Sequence, residues 1–300
     1  MQKLRIALGF SIAFIVVWIG AFTYITLFPE NQMPDDIKDD GKVSIVATIY
    51  PLAWMASDLD PSATITTIVG PGLEPHDFSP TIDDVKKIHN AELLIVNGGV
   101  DSWIDDSALE RNFPTINALA TLQYPETDPH VWLDPILMQK IVEDIGHQLE
   151  QINPKNADII HENVIKKQEI LAEIDRDYRA VLASCAIPEI VSSHDAFSFL
   201  AKRYGFTVHG ITGFSSESEP SPSKLVELTD LIRSHHITTV FFEELASDAL
   251  SKTLADETGA KTDVLDAIES LSSEESERLE YPGIMEKNLA KLKAAMVCTE

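Results

Sequence analysis

An α/β protein of two lobes is the fold class the sequence predicts. Each lobe is a parallel sheet flanked by helices. A long rigid helix joins them, and an N-terminal transmembrane or signal helix precedes them. Three observations carry this expectation. From residue 43 onward short apolar runs alternate with longer amphipathic ones, the βα rhythm of a parallel sheet. The rhythm occurs twice, separated by residues 153–184, which hold no glycine and no proline after Pro154. The 300 residues of the chain suit about two domains.

The first element is apolar. Residues 6–28 run 23 positions without a charge. At about 1.5 Å per helical residue they span roughly 34 Å, enough for a bilayer core. Lys3 and Arg5 precede the run, and Glu30, Asp35 and Asp36 follow it. The positive-inside rule then leaves the N-terminus in the cytoplasm and the remainder outside. A cleaved signal peptide has a shorter core, about 7–15 residues, and a small-residue cleavage site. An uncleaved signal anchor in residues 1–30 is therefore expected, with cleavage to a periplasmic or secreted form as the alternative. No cysteine lies near the end of the run, which excludes a lipid anchor on cysteine. Residues 31–42 are polar, with Pro34 and Gly41, and read as a tether.

The N-terminal lobe, 43–152, is expected to hold strands at 43–48, 64–69, 93–96 and 115–117. Helices are expected at 52–59, 81–89, 103–111 and 135–152. In the linking helix, 153–184, Ile160, Val164, Leu171, Ile174, Tyr178 and Leu182 recur at three- and four-residue steps, among other apolar positions. It opens on Asn153-Pro154, a cap followed by proline. A helix of this length, roughly 45 Å, acts as a spine and limits lobe motion to small tilts. The C-terminal lobe, 185–300, repeats the alternation, with strands at 190–192, 207–210, 239–242 and 261–265. Its helices are expected at 196–204, 222–234, 247–258 and 274–296, and Ser221-Pro222 starts the second of them.

Composition narrows the function. Hydrophobic residues make 44% and charged residues 24% of the chain, which excludes wholesale disorder. With 23 Lys+Arg against 48 Asp+Glu the net charge is −25. Nucleic acid is excluded as a partner, because it needs a basic face. A cation is the natural ligand for such a field. Cys185 and Cys298 are the two cysteines. Outside the membrane they are free to form a bridge that ties the last helix to the second half. Two buried free thiols are the alternative.

Ligands of α/β lobes bind at the carboxyl ends of strands. Four stretches there carry chemistry. Gly70-Pro71-Gly72-Leu73-Glu74-Pro75-His76-Asp77-Phe78 follows the second strand, and Asp128-Pro129-His130-Val131-Trp132-Leu133-Asp134-Pro135 precedes a helix. Ser192-Ser193-His194-Asp195-Ala196-Phe197 follows the first strand of the second half, and Val264-Leu265-Asp266 ends its last strand. Three imidazoles and a carboxylate converging across a cleft make a tetrahedral nitrogen–oxygen metal site. Structural histidines that hydrogen-bond locally are the competing explanation. Glu243, after the strand at 239–242, is the candidate acceptor for the second ring nitrogen of a ligating imidazole. Asp77, Asp134 and Asp195 are expected to cap helices. His209 is the reserve ligand.

These stretches, with Ser-Glu-Ser-Glu-Pro-Ser-Pro at 216–222, resemble the solute-binding proteins of zinc and manganese ABC transporters. The resemblance covers about residues 43–298. It implies two α/β lobes on a rigid helix, with metal held between them. It also implies delivery of the metal to a membrane permease driven by an ATPase. Carried across, the ligands fall on His76, His130, His194 and Asp266. Histidine at the third position is similar to the zinc-binding members, and imidazole favours zinc over oxygen-preferring manganese. Cys185 and Cys298 resemble a disulfide of some zinc members. The accessory His-rich loop of many members has no counterpart in residues 121–128.

Zn2+ is accordingly the expected ligand, with Mn2+ the alternative, an ABC permease the expected partner, and a monomer the expected state. A non-enzymatic receptor is expected because four protein ligands leave no place for catalytic water. A zinc hydrolase with an open fourth position, and an adhesion protein, are the competing classes. No HExxH helix or nucleophile elbow is present. Ligating imidazoles must be neutral, so acid is expected to release metal around pH 5–6.

Overall fold

The computed structural model describes residues 42–104, 113–123, 128–214, 219–243, 247–271 and 280–299. Residues 1–41, which carry the expected anchor and most of the tether, lie outside them. Among the described residues no helix is long and apolar enough to cross a membrane.

The first sheet is built from β1 (Ser44–Ala47), β2 (Thr64–Thr67), β3 (Leu93–Val96) and β4 (Thr115–Asn117). The second holds β5 (Glu189–Ser192), β6 (Thr207–Gly210), β7 (Thr239–Phe242) and β8 (Lys261–Val264). All pairings are parallel. The orders are β2-β1-β3-β4 and β6-β5-β7-β8, so the two lobes share one topology. In each, the chain leaves the first strand to one side and returns on the other. The crevice that this reversal opens at the carboxyl ends is where ligands bind. In the second lobe it lies between β5 and β7, the strands that precede His194 and Glu243.

Local chemistry sets the helix ends. Helix α1 (Tyr50–Ala56) has Pro51 in its first turn. It starts and stops earlier than expected, and Asp58 has φ +63°. Helix α2 (Ile82–His89) opens on a capping box in which Thr81 and Asp84 exchange hydrogen bonds. Of the expected helix 103–111, Trp103 and Ile104 lie in a turn and bend, and the remainder is outside the described residues. The short helix α3 (Ala118–Leu122), not anticipated, is capped by Asn117 Oδ1 at 3.0 Å from Ala120 N. Helix α4 (Pro135–Ile152) is capped by Asp134 as expected.

The linking helix α5 spans Ala157–Leu182, about 39 Å at 1.5 Å per residue. Asn153 does not cap it, since Pro154–Asn156 forms a separate 3-10 turn. Instead Asn153 and Asn156 donate to the buried Asp60 carboxylate at 2.8 and 2.7 Å, fixing the helix start to the N-terminal lobe. Midway, the buried Lys167 ammonium lies 4.3 Å from the Trp54 ring centroid and donates to Trp54 O at 3.1 Å. Near its end, Tyr178 donates to Met285 O at 2.8 Å, in α9 (Tyr281–Ala295) of the C-terminal lobe. A Cβ on Gly146 would stand 2.3 Å from Val164 Cγ2, so glycine there lets α4 and α5 close on each other.

The remaining helices are α6 (Ser198–Tyr204), α7 (Pro222–His235) and α8 (Ala249–Thr258). One apolar core runs from Ile45 and Trp132 in the first lobe through Leu171 and Tyr178 to Phe197 and Leu292 in the second. Continuous packing of this kind resists hinge motion.

Cys185 and Cys298 form the disulfide, closing a loop across a sequence separation of 113 residues. Replacing both by serine is expected to cost about 2–4 kcal/mol. The readout is a lower denaturant midpoint at similar slope; an unchanged midpoint would show that the bridge contributes nothing.

Candidate metal centre

Each of the three histidines is placed by its own local device. His76 sits in a 3-10 turn, Pro75–Asp77, where the Glu74 carboxylate accepts His76 N at 3.2 Å. Glu74 therefore fixes the turn, and burial and the nearby Glu269 charge push its pKa up to about 8. His130 follows Pro129, whose carbonyl accepts from Asn97 Nδ2 at 2.9 Å, just beyond β3. Asp128 pairs with His130 Nδ1 at 2.9 Å and accepts its backbone N–H at 3.1 Å. His194 lies two residues beyond β5, and Ser192 Oγ donates to its carbonyl at 2.7 Å. Its Nδ1 pairs with Glu243, which also accepts from Ser193 Oγ at 2.7 Å. Glu243 is the carboxylate that faces this ring nitrogen.

For His130 and His194 the Nδ1 atom faces a carboxylate, so Nε2 is the nitrogen left for a ligand. The Nε2 atoms of all three histidines converge with one carboxylate oxygen of Glu269, every donor within 4.8 Å of the others. Glu269 Oε1 is 3.0 Å from His130 Nε2 and 3.4 Å from both His76 Nε2 and His194 Nε2. His194 Nε2 is 3.2 Å from His130 Nε2. Donors about 2.0–2.1 Å from a tetrahedral zinc stand roughly 3.3 Å apart. The four observed edges match that figure. His76 Nε2 is buried and has no hydrogen-bond partner among the described residues, which suits a nitrogen whose lone pair is available to a cation. His130 and His194 are fully buried, Glu269 is 6% exposed and His76 11%.

The carboxylate of the group corrects the expectation at Asp266. Asp266 ends too early in the loop, and its Oδ1 accepts the Ile268 backbone N–H at 2.6 Å. The chain turns there, and Glu269, three residues on, reaches the imidazoles. His209 does not join the group. It pairs with Glu189 at 3.0 Å on the surface of the second lobe. Asp195 accepts from Ser198 Oγ at 2.7 Å and gives α6 no backbone cap. Asp77 belongs to the His76 turn. Trp132 and Asp128 were missed as parts of the centre, although both sit within two residues of His130.

The charges are balanced inside the centre. Burial disfavours the His194 cation, but Glu243 and Glu269 outweigh it and raise its pKa to about 10. His130 is raised too, because Asp128 and Glu269 outweigh its burial. Against its own burial, the three imidazoles hold Glu269 well below the usual carboxylate range.

The loop bearing Glu269 is also fastened to the opposite lobe. Trp132 Nε1 donates to Ala267 O at 2.7 Å, Ser270 Oγ to Gly70 O at 3.1 Å, and Gly72 N to Leu271 O at 2.8 Å. Tyr281 OH donates to Trp132 O at 2.7 Å, and Arg203 pairs with Asp134 at 2.7 Å. The described structure is thus one in which both lobes already enclose the centre.

Comparison with known proteins gives the family of the chain. The family model described as zinc-uptake complex component A, periplasmic, matches residues 45–295. The zinc-binding lipoprotein AdcA of Streptococcus pneumoniae is 33% identical over 279 residues, 85% of this chain and 56% of that protein. The chain therefore spans about half the length of that relative. The high-affinity zinc uptake system protein ZnuA of Bacillus subtilis is 31% identical over 313 residues, 93% of this chain and 98% of that protein. The crystal structure of the Zn(II)-bound ZnuA-like domain of S. pneumoniae AdcA superposes with a TM-score of 0.75 at 34% identity. It covers 85% of this chain and 99% of that one.

Proposed function

This chain belongs to the zinc-uptake complex component A family, and on that premise we propose that it is an extracytoplasmic zinc receptor. It binds one Zn2+ between its lobes and delivers it to an ABC-type permease. The ligands are His76, His130, His194 and Glu269, with Asp128 and Glu243 orienting two of the imidazoles. The apolar run at 6–28 anchors the chain to the membrane. The observation that carries the reading is the group of four donors drawn from both lobes, all within 4.8 Å of one another, with four of their separations between 3.0 and 3.4 Å.

The donor set decides between metals. Three imidazoles and one carboxylate suit zinc, whereas manganese prefers more oxygen. It also favours binding over catalysis. Four protein ligands complete a tetrahedron, so no water is activated and the site holds its metal as cargo. His76 is the one partly exposed donor of the group, so zinc enters along its side and the buried imidazoles complete the shell.

Metal analysis and titration of the purified full chain test this. One zinc per chain, not displaced by excess manganese, is expected. Manganese preference would move the chain to a different cargo. An exchangeable metal-bound water would favour the hydrolase, and no tight metal would sink the receptor reading.

A further inference from the structure

Glu269 reaches the centre through an unusual turn. Ile268, the residue before it, has φ +57° and is fully buried. A β-branched residue in the left-handed region is a genuine outlier, and its backbone is strained. Something must hold it there. Asp266 Oδ1 accepts the Ile268 N–H at 2.6 Å, an Asx-turn that closes the bend with a side chain in place of a backbone carbonyl. Asp266 is itself gripped. Asn288 Oδ1 accepts Asp266 N at 3.1 Å, and Asn288 Nδ2 donates to Asp266 O at 2.7 Å. Asn288 is a polar residue of α9 that is 1% exposed, and both ends of its amide are given to this one residue. A buried amide costs free energy unless it is paired. Its placement is explained by the turn it holds.

We infer that Asp266 and Asn288 are positioning residues for Glu269: they hold the Ile268 turn so that the carboxylate is already beside the imidazoles before metal arrives. The inference rests on the zinc-receptor reading for its functional consequence, but its geometry stands without it. Neither residue belongs to the four-donor group. Removing either lets the strained turn relax toward an extended backbone. Glu269 then withdraws, and binding must reorganise the loop.

The test uses the full chain and a zinc-competition titration, beside metal-free crystal structures of the same variants. Asp266→Ala and Asn288→Ala are each expected to weaken zinc about 10–100-fold, the usual effect of removing a residue that orients a metal ligand. Asp266→Asn keeps an oxygen acceptor for Ile268 N–H and is expected to bind within about threefold of the parent, since the bend keeps its hydrogen bond. In a Glu269→Gln background Asp266→Ala is expected to add nothing further, because the two act through one carboxylate. The metal-free structures should show Glu269 withdrawn from His130 in Asp266→Ala and in place in Asp266→Asn.

Asp266→Asn as damaging as Asp266→Ala, or full additivity with Glu269→Gln, would overturn the inference and make Asp266 an independent ligand. Glu269 unmoved in metal-free Asp266→Ala would overturn it as well. A parent chain that binds no zinc sinks the receptor reading alone, and the metal-free structures still decide the positioning role.

Discussion

His194→Ala is expected to weaken zinc binding by two powers of ten or more while leaving the chain folded. A closed four-ligand zinc site is worth about 10–16 kcal/mol in total, roughly 3 kcal/mol per ligand, or about two powers of ten in Kd. His194 is the single imidazole of the C-terminal lobe in the group, and its Nε2 makes two of the matching edges, to His130 and Glu269. Its loss also strands Glu243, a buried carboxylate left with Ser193 for company among the contacts described above. The fold should survive, because His194 belongs to a loop and not to the apolar core. Glu243→Gln should cost less, about 10–100-fold, since it orients a ligand without being one. Competition against a chromophoric chelator, beside a circular-dichroism melt, gives both numbers. A His194→Ala variant that binds zinc within threefold of the parent would remove this nitrogen from the ligand set.

The sheets were legible because their signal is local. Strands such as 93–96, a continuous apolar run, and 239–242 fell at the expected residues, since a buried parallel strand has no polar face to confuse the pattern. Helix ends were less so. Asn153 looks like a cap by its neighbour Pro154, but the Asp60 carboxylate, 93 residues away, claims its side chain. Competition for a donor across that distance has no trace in a window of ten residues.

The centre was half legible for the same reason. Three histidines at strand and helix ends stand out by type and place. The carboxylate does not, because Asp266 follows β8 directly and Glu269 follows a bend. That bend depends on a positive φ at isoleucine, which no propensity anticipates. A signal was nevertheless present. Glu269 lies among Ala267, Ile268 and Leu271, a stretch that tends to bury its charge, and a buried carboxylate needs a cationic or donor partner. Asp266 two residues before Ile268 is itself the pattern of an Asx-turn. What had the look of a ligand is a support for one.

Zinc affinity is expected to rise with pH across the neutral range, and binding at pH 7.5 to release protons. In the metal-free chain, burial opposes the His194 cation, but Glu243 and Glu269 raise its pKa to about 10. His130 is shifted the same way. At neutral pH the Nε2 position of His194 therefore carries a proton that zinc must displace. Each proton displaced makes affinity climb about tenfold per pH unit below the pKa. The dependence extends well above the pH 5–6 that an ordinary imidazole would give. Glu269 contributes no slope there, because its pKa is held low and it stays anionic. The sign for stability is opposite. A histidine raised from about 6.5 to about 10 stabilises the metal-free fold fully below pH 6.5 and loses that contribution as pH rises toward 10. Metal-free protein should thus melt progressively lower from pH 7 to pH 10, while the shift in Tm caused by zinc widens. Calorimetry at pH 7.5 in two buffers of different ionisation enthalpy counts the protons, and titrations at pH 6, 7 and 8 give the slope. Zero protons released, with a flat Kd over that interval, would mean that the imidazoles are already neutral before metal arrives. Glu243 and Glu269 would then orient His194 without charging it.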